Sequence, residues 1–350
     1  MQFSDWERPD PPGVRPVRGV PLWRWAAAAG VCLVLGVVAF IVPIPGVYAY
    51  LPGPVRDVER LIEVDGAPTY SSEGSLFLTT VSVDTQITFA EWVGAGFDNT
   101  RTIVSRDAVT GGQSLDELRR RQQAEMSDSK MEAEVVALGA LGLARPSGAG
   151  VRIVETVPES PAQGLLESGD RIVAVDGKKA PTTCDVGRLV DAHRPGEAIS
   201  LRIVRDGRRR TVSVPAGEAP GAPGRPFLGI VMRDVNFSFE APVEVDFVTG
   251  EIAGPSAALM FALTLYDRLT PDDLTGGRRI AGTGTLTCDG EIGPIGGIEQ
   301  KIAGAEARGA EIFLAPEANA TAARAVARSV RVVAVGTFSD ALDYLQGLDS

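Results

Sequence analysis

The chain has 350 residues, 44% of them hydrophobic and 23% charged, with a net charge of −11. That apolar content can bury a sizeable core, which excludes a disordered chain. The acidic balance excludes the clustered positive charge that a nucleic-acid partner needs. At ~100–200 residues per domain, the length fits two domains and a smaller piece.

Three residue types narrow the chemistry. Cys32, Cys184 and Cys288 are too scattered for a zinc site or a disulfide framework; three inert thiols are the default expectation, with one Cys184–Cys288 bridge left open. His193 is the single histidine, which removes most zinc enzymes and leaves a Ser-His-Asp triad only one candidate. Lysine occurs only at Lys130, Lys178, Lys179 and Lys301, so 30 of the 34 basic residues are arginine. The bland explanation is a bias toward arginine. A position that keeps lysine against that bias is nonetheless a candidate for chemistry that needs an amine able to lose its proton. None of the four lysines falls in a Walker A pattern, so neither a nucleotide nor another cofactor is expected.

Residues 1–24, with Pro9, Pro11, Pro12, Arg15, Arg18 and Arg24, read as a short disordered tail. From Trp25 to Val55 there is no charge, and the run AAAAGVCLVLGVVAFIV from Ala26 to Val42 can cross ~30 Å of hydrocarbon. The transmembrane helix is drawn at residues 25–50, with Trp23, Trp25, Tyr48 and Tyr50 as interfacial anchors. Four arginines before it place the N-terminus in the cytoplasm and the rest outside, as a single-pass protein of the cell membrane. A cleaved signal peptide is the competing reading, with small residues around Val47-Tyr48-Ala49. Both readings export the remainder.

Residues 56–130 offer a strand from Ser75 to Val83 and a charged helix around Leu115 to Met131, with Arg119, Arg120 and Arg121 on a polar surface. Nothing there looks catalytic by itself. Residues 135–215 then run through Gly139-Ala140-Leu141-Gly142-Leu143, a strand at Gly150–Val157, Ser160-Pro161-Ala162, the turn Glu167-Ser168-Gly169-Asp170, a strand at Arg171–Val175, the turn Asp176-Gly177, a helix near Asp185–Ala192 and a hairpin through Arg205-Asp206-Gly207. This order resembles a bacterial PDZ domain. The resemblance implies that Leu141, Gly142 and Leu143 present backbone N–H groups to a peptide carboxylate, while the peptide adds a strand to the sheet edge. A plain strand connection is the alternative. Ala216 to Arg225 (AGEAPGAPGR) reads as a Pro/Gly linker, drawn at 216–226. Beyond it, the strand at Ile312–Ala315, the helix near Glu317–Ala327, the strand at Val330–Val335 and a final helix near Asp340–Leu345 indicate an α/β layer over 227–350.

Two short segments in that last region carry chemistry. Gly254-Pro255-Ser256 leads into the apolar run Ala257–Tyr266, which sets Ser256 at a helix N-terminus where free N–H groups favour developing negative charge. Serine is also a preferred helix cap, so the segment alone is weak. In Gly296–Ala305, Ile298, Ile302 and Ala305 mark a buried stripe, and Lys301 lies on or beside it. Desolvation there would lower the lysine pKa, whereas a snorkelling side chain would keep its charge in water. Together the segments supply a serine nucleophile and a lysine base, a pairing that needs no histidine.

Here the chain resembles the Lon protease family, whose proteolytic domain pairs a G-P-S serine with a lysine in G-G-x-x-x-K. The separation of 45 residues suits that family, as does the intervening Gly282–Ile295. The resemblance implies that Thr283 supports the lysine through its hydroxyl. The family commonly has an acidic residue before G-P-S, where this chain has Ala253. The order of anchor, PDZ and Ser-Lys domain is similar to that of membrane-anchored, PDZ-containing Lon-like proteases of bacteria. Gly74–Val83 looks like an early strand of the same proteolytic domain, with 56–130 as its early part and the PDZ region inserted.

The expected fold is mixed α+β and α/β: a transmembrane helix, a PDZ-like β-rich domain and a Lon-type proteolytic domain. The expected activity is an ATP-independent serine endopeptidase with Ser256 and Lys301 catalytic and Thr283 supporting, acting on unfolded polypeptides captured by the PDZ groove. The resemblance adds a ring-like homo-oligomer. The rival is an inactive, membrane-anchored scaffold that binds peptide tails. A triad built on His193 is disfavoured because His193 belongs to the PDZ-like segment.

Overall fold

The computed structural model describes residues 21–348, apart from 99, 220–221 and 251. Most of the expected N-terminal tail lies outside the described residues. Helix α1 (Leu22–Ile41) has 20 residues, about 30 Å at 1.5 Å per residue, and its side chains are almost all exposed. Among the described residues it is the one helix long and apolar enough to cross a membrane, by length and composition alone. It is shorter than the span drawn at 25–50. Pro43 holds Val42 in an extended conformation (φ −91°, ψ 119°), which stops the helix. Strand β1 (Val47–Pro52) follows, with Tyr48 and Ala49 buried in protein, so Tyr48 is not a membrane anchor.

The expected strand at Ser75–Val83 is two strands, β2 (Ser75–Leu78) and β3 (Val81–Asp84), which enter different sheets. Strand β3, β1 and β4 (Thr102–Ser105) form a small antiparallel sheet in the order β3-β1-β4. Between β3 and β4 lies the short helix α2 (Phe89–Ala95), opened by a capping box between Thr88 and Glu91. Helix α3 (Leu115–Ala140) runs 26 residues and keeps Arg119, Arg120 and Arg121 exposed.

A six-stranded antiparallel unit follows. Its strands β5 (Val151–Thr156), β6 (Arg171–Val175), β7 (Ala198–Arg205), β8 (Arg208–Pro215) and β9 (Ile230–Asp234) run in the order β8-β7-β6-β5-β9, with Lys178–Lys179 beside β6. Helix α4 (Thr183–Asp191) packs on this sheet, and its buried Val186, Leu189 and Val190 join a core of Ile153, Ile172 and Leu201. The stretch expected to be a linker instead contributes paired strands, Gly217–Ala219 and Ala222–Phe227. The sheet therefore closes only at Asp234.

The rest of the chain forms the second sheet. After helix α5 (Ala258–Leu269) come β10 (Arg279–Gly282), α6 (Ile298–Arg308), β11 (Ile312–Pro316), α7 (Glu317–Val326), β12 (Arg331–Val335) and α8 (Phe338–Gln346). The strand order is Arg56–Asp57, β2, β10, β11, β12, with every pair from β2 onward parallel. Alternation along the strands feeds two cores. Leu76, Leu78, Ile280 and Leu314 face α5, α3 and α8, whereas Phe77, Ala281 and Phe313 face α6 and α7.

Cys184 in α4 and Cys288 in the loop after β10 form a disulfide, so the inert-thiol expectation fails for both. The same junction holds Arg225 between Asp191 (3.1 Å) and Glu291 (2.8 Å), which brings the two loops together.

Candidate active site

Parallel strands present their carboxyl ends to one rim of a sheet, and side chains gather there. Here Thr79 directly follows β2 and Thr283 directly follows β10, and the buried Thr79 hydroxyl donates to the Gly282 carbonyl (3.2 Å). Gly254 has φ +99°, a conformation that disfavours any residue with a Cβ. It delivers the chain into the tight turn Pro255–Ala257 at the head of α5, with Ser256 in the middle.

That turn is fastened on both sides of the serine. Gly254 N–H donates to the Gln122 carbonyl (3.0 Å), and the fully buried Ser129 hydroxyl donates to the Pro255 carbonyl (3.1 Å). The Ser256 carbonyl accepts from Gly284 N–H (3.0 Å) and from the Thr283 hydroxyl (3.1 Å). Helix α3, in a segment that showed no chemistry in sequence, is thus the brace of the serine turn. Its buried Ser129 in an otherwise charged stretch was the available signal.

Lys301 arrives from the other face. Gly297 (φ +66°) turns the chain into α6, whose Ile298, Ile302 and Ala305 pack on Phe313. Lys301 shares that face and is only 3% exposed. Its Nζ lies 2.7 Å from Ser256 Oγ and 2.6 Å from Thr283 Oγ1. Because the Thr283 proton goes to the Ser256 carbonyl, the threonine oxygen is left to accept from the amine. Burial pushes the Lys301 pKa from 10.5 down to about 7, with no charged partner opposing it. The structure brings together Ser256, Lys301 and Thr283, residues separated by up to 45 positions.

The pair opens into a cavity of about 200 Å³ walled by Tyr50, Leu78, Val81, Met126 and Ile252. A larger space of about 520 Å³ adjoins it, sharing Thr80, Val81, Gln122, Ile252 and Ala253. Ala253, where an acid was expected by resemblance, stands on the rim of both. His193 lies in the PDZ unit just after α4, its Nε2 2.8 Å from Asp176.

The placement of the peptide-binding loop in the PDZ unit needs a correction. Leu141, Gly142 and Leu143 form the end of α3, and their N–H groups are consumed by Ala137, Gly139 and Leu138 carbonyls (3.1, 3.0 and 2.9 Å). They cannot also receive a carboxylate. One edge strand of the six-stranded sheet is β9, which packs beside α4. It is entered through Phe227-Leu228-Gly229. The carbonyls of Leu228 and Gly229 accept from Ala162 (3.1 Å) and Val157 (2.8 Å), while among the described residues no hydrogen bond engages their N–H groups. Gly229 has φ +75°, and a Cβ there would meet the Ser160 Cβ at 2.1 Å. The sequence signal was an apolar-Gly-apolar step just after the Pro/Gly stretch, concealed because that stretch read as a linker.

Comparison with known proteins matches these two sheets. A family model described as the Lon protease (S16) C-terminal proteolytic domain matches residues 233–344, and one described as a PDZ domain matches residues 117–216. The chain carries a PDZ domain and a Lon-type proteolytic domain. It is similar to a probable periplasmic serine endoprotease, DegP-like, of Pseudomonas fulva (strain 12-X), at 38% identity over 84 residues, covering 24% of this chain and 17% of that protein. It is also similar to Lon protease 2 of Bacillus subtilis (strain 168), at 30% identity over 112 residues, covering 31% of this chain and 18% of that protein. The chain thus matches less than a fifth of the length of either relative. Among solved structures, the PDZ domain of the SdrC-like protein from Listeria innocua is 20% identical and covers 24% of this chain and 93% of that one, with a TM-score of 0.23. The PDZ model stops before β9, so the strand that closes the groove lies beyond its reach.

Proposed function

We propose that the chain is an ATP-independent, membrane-anchored serine endopeptidase in which Ser256 is the nucleophile and Lys301 the general base. The observation that carries this reading is the 2.7 Å approach of a buried Lys301 amine to the Ser256 hydroxyl. With its pKa lowered to about 7 by burial, the amine is substantially neutral at physiological pH and has a lone pair for the serine proton.

In the proposed cycle, Lys301 takes the proton from Ser256 Oγ as that oxygen attacks a peptide carbonyl. Helix starts leave N–H groups without helical partners, and those at the Ser256 turn face the developing oxyanion, a stabilisation often worth several kcal/mol. The Lys301 ammonium returns its proton to the departing amine. Water then attacks the acyl-enzyme, again with Lys301 as base, and frees Ser256. Thr283 holds the amine between these steps through its hydroxyl.

Two further parts of the reading concern substrate delivery. The open backbone donors of Leu228 and Gly229 and the free edge of β9 favour capture of an extended peptide tail between β9 and α4. Helix α1 favours a single-pass anchor with the catalytic unit outside, where an oxidising compartment also suits the Cys184–Cys288 bridge. The insertion of the PDZ unit within one proteolytic domain is supported by β2, which sits between Arg56–Asp57 and β10.

The test is hydrolysis of an unfolded polypeptide together with mass spectrometry after a serine-directed acylating probe. The reading expects cleavage and an adduct on Ser256, both lost in Ser256→Ala. An intact polypeptide and an unlabelled Ser256 would leave a peptide-binding scaffold instead.

A further inference from the structure

The region between β3 and β4 is not used by the mechanism, yet it carries a concentrated set of exposed apolar side chains. Phe89, Trp92 and Val93 are about half exposed, and Phe97 is 88% exposed. Their spacing of three, four and eight residues sets them on one face of α2 and its C-terminal turn. Phe89 and Trp92 stack with ring centroids 5.8 Å apart. The polar groups nearby are spent internally: Glu91 closes the capping box with Thr88, and Asp98 pairs with Arg101 at 3.3 Å.

The position of this stripe identifies what covers it. Thr88, the cap of α2, forms a bridge with Pro43, two residues beyond the end of α1. Ile44 N–H donates to the Ile87 carbonyl at 2.7 Å. Phe40 of α1 shares a cavity of about 480 Å³ with Ala90 and Gly94 of α2. The stripe is therefore continuous with the end of the apolar helix and begins where that helix would leave hydrocarbon. Tryptophan and phenylalanine on a short amphipathic helix at that depth suit the interfacial layer of a bilayer.

We propose that Phe89, Trp92, Val93 and Phe97 rest in the surface of the membrane that α1 spans, as a second lipid contact that holds the catalytic cleft close to the bilayer. The inference rests on the anchor reading above. Its consequence for substrate follows from the small sheet. Tyr50 and Val81 line the cavity at Ser256, and β1 and β3 run from there to the junction with α1 and α2. Three strand residues span on the order of 10 Å. The cleft thus stands one short strand from the lipid surface and favours polypeptides tethered in that same membrane over those free in solution.

The test uses the full chain reconstituted in vesicles of phosphatidylethanolamine and phosphatidylglycerol, with the photoreactive residue p-benzoylphenylalanine at position 97. Illumination is expected to give lipid adducts there. A chain-to-chain product in their place would assign the stripe to a second copy, and no adduct on a vesicle-bound chain would leave it in water; either overturns the proposal. A chain that no longer floats with vesicles after an alkaline wash would remove the anchor itself, and the lipid contact with it. As an independent readout, Phe97→Glu should slow cleavage of a vesicle-tethered polypeptide at least about fivefold while leaving a soluble peptide unaffected, because tethering acts through local concentration. Equal rates on both substrates would contradict the proposal.

Discussion

The two largest sheets of this molecule treat backbone polar groups in opposite ways. In the PDZ unit, the proposed peptide site rests on what is left unpaired among the described residues: the N–H groups of Leu228 and Gly229, and the outer edge of β9. In the proteolytic unit the Pro255 and Ser256 carbonyls beside the proposed reactive pair are engaged, and Lys301 is buried. Recognition of an extended chain needs open donors, whereas lowering the pKa of an amine needs burial without a counter-charge. The contrast explains why one site is read from loop geometry and the other from burial.

If the sites are separable in this way, variants should divide cleanly between them. The largest effect belongs to Lys301→Arg, which keeps the positive charge but cannot accept a proton. Peptide hydrolysis should fall by on the order of 10⁴-fold, as for loss of a unit that acts cooperatively, while binding of a peptide tail stays unchanged by calorimetry. Gly229→Ala should do the reverse. Its Cβ collides with Ser160 at a left-handed position, so tail binding should weaken at least about tenfold, with hydrolysis of a short peptide retained. Comparable loss in both assays for either variant would break the division.

Two smaller effects sharpen it. Reduction of Cys184–Cys288 removes the covalent tie between the units and should cost about 2–4 kcal/mol in denaturant unfolding, with little change in hydrolysis by the folded protein. Ser129→Ala deletes one hydrogen bond to the serine turn and should cost about 1 kcal/mol. It should lower kcat severalfold without moving tail binding.

Much of the site was legible because its chemistry breaks local rules. A lysine on an apolar helix face, in a chain that otherwise uses arginine, and a G-P-S step before an apolar helix stand out in sequence. The brace did not: Gln122 acts through its main-chain carbonyl, which leaves no trace in residue type, and Ser129 in a charged stretch is a weak signal by itself. The peptide loop was placed at Leu141–Leu143 since an apolar-Gly-apolar pattern occurs there too. Only the hydrogen bonds of the α3 terminus distinguish a spent loop from the open one at Leu228–Gly229. Likewise Pro43 ends α1, but the uncharged run to Val55 masked both that stop and the fact that β1 belongs to the folded unit.

The proposed loss of the Lys301 proton near neutral pH can be observed directly. With only four lysines in the chain, selective ¹³Cε labelling gives a countable set of resonances across a pH titration. The account predicts one resonance titrating near pH 7, absent in Lys301→Arg, with Ser256 acylation rising through the same midpoint as the amine loses its proton. A Lys301 resonance that stays protonated above pH 9 would contradict it.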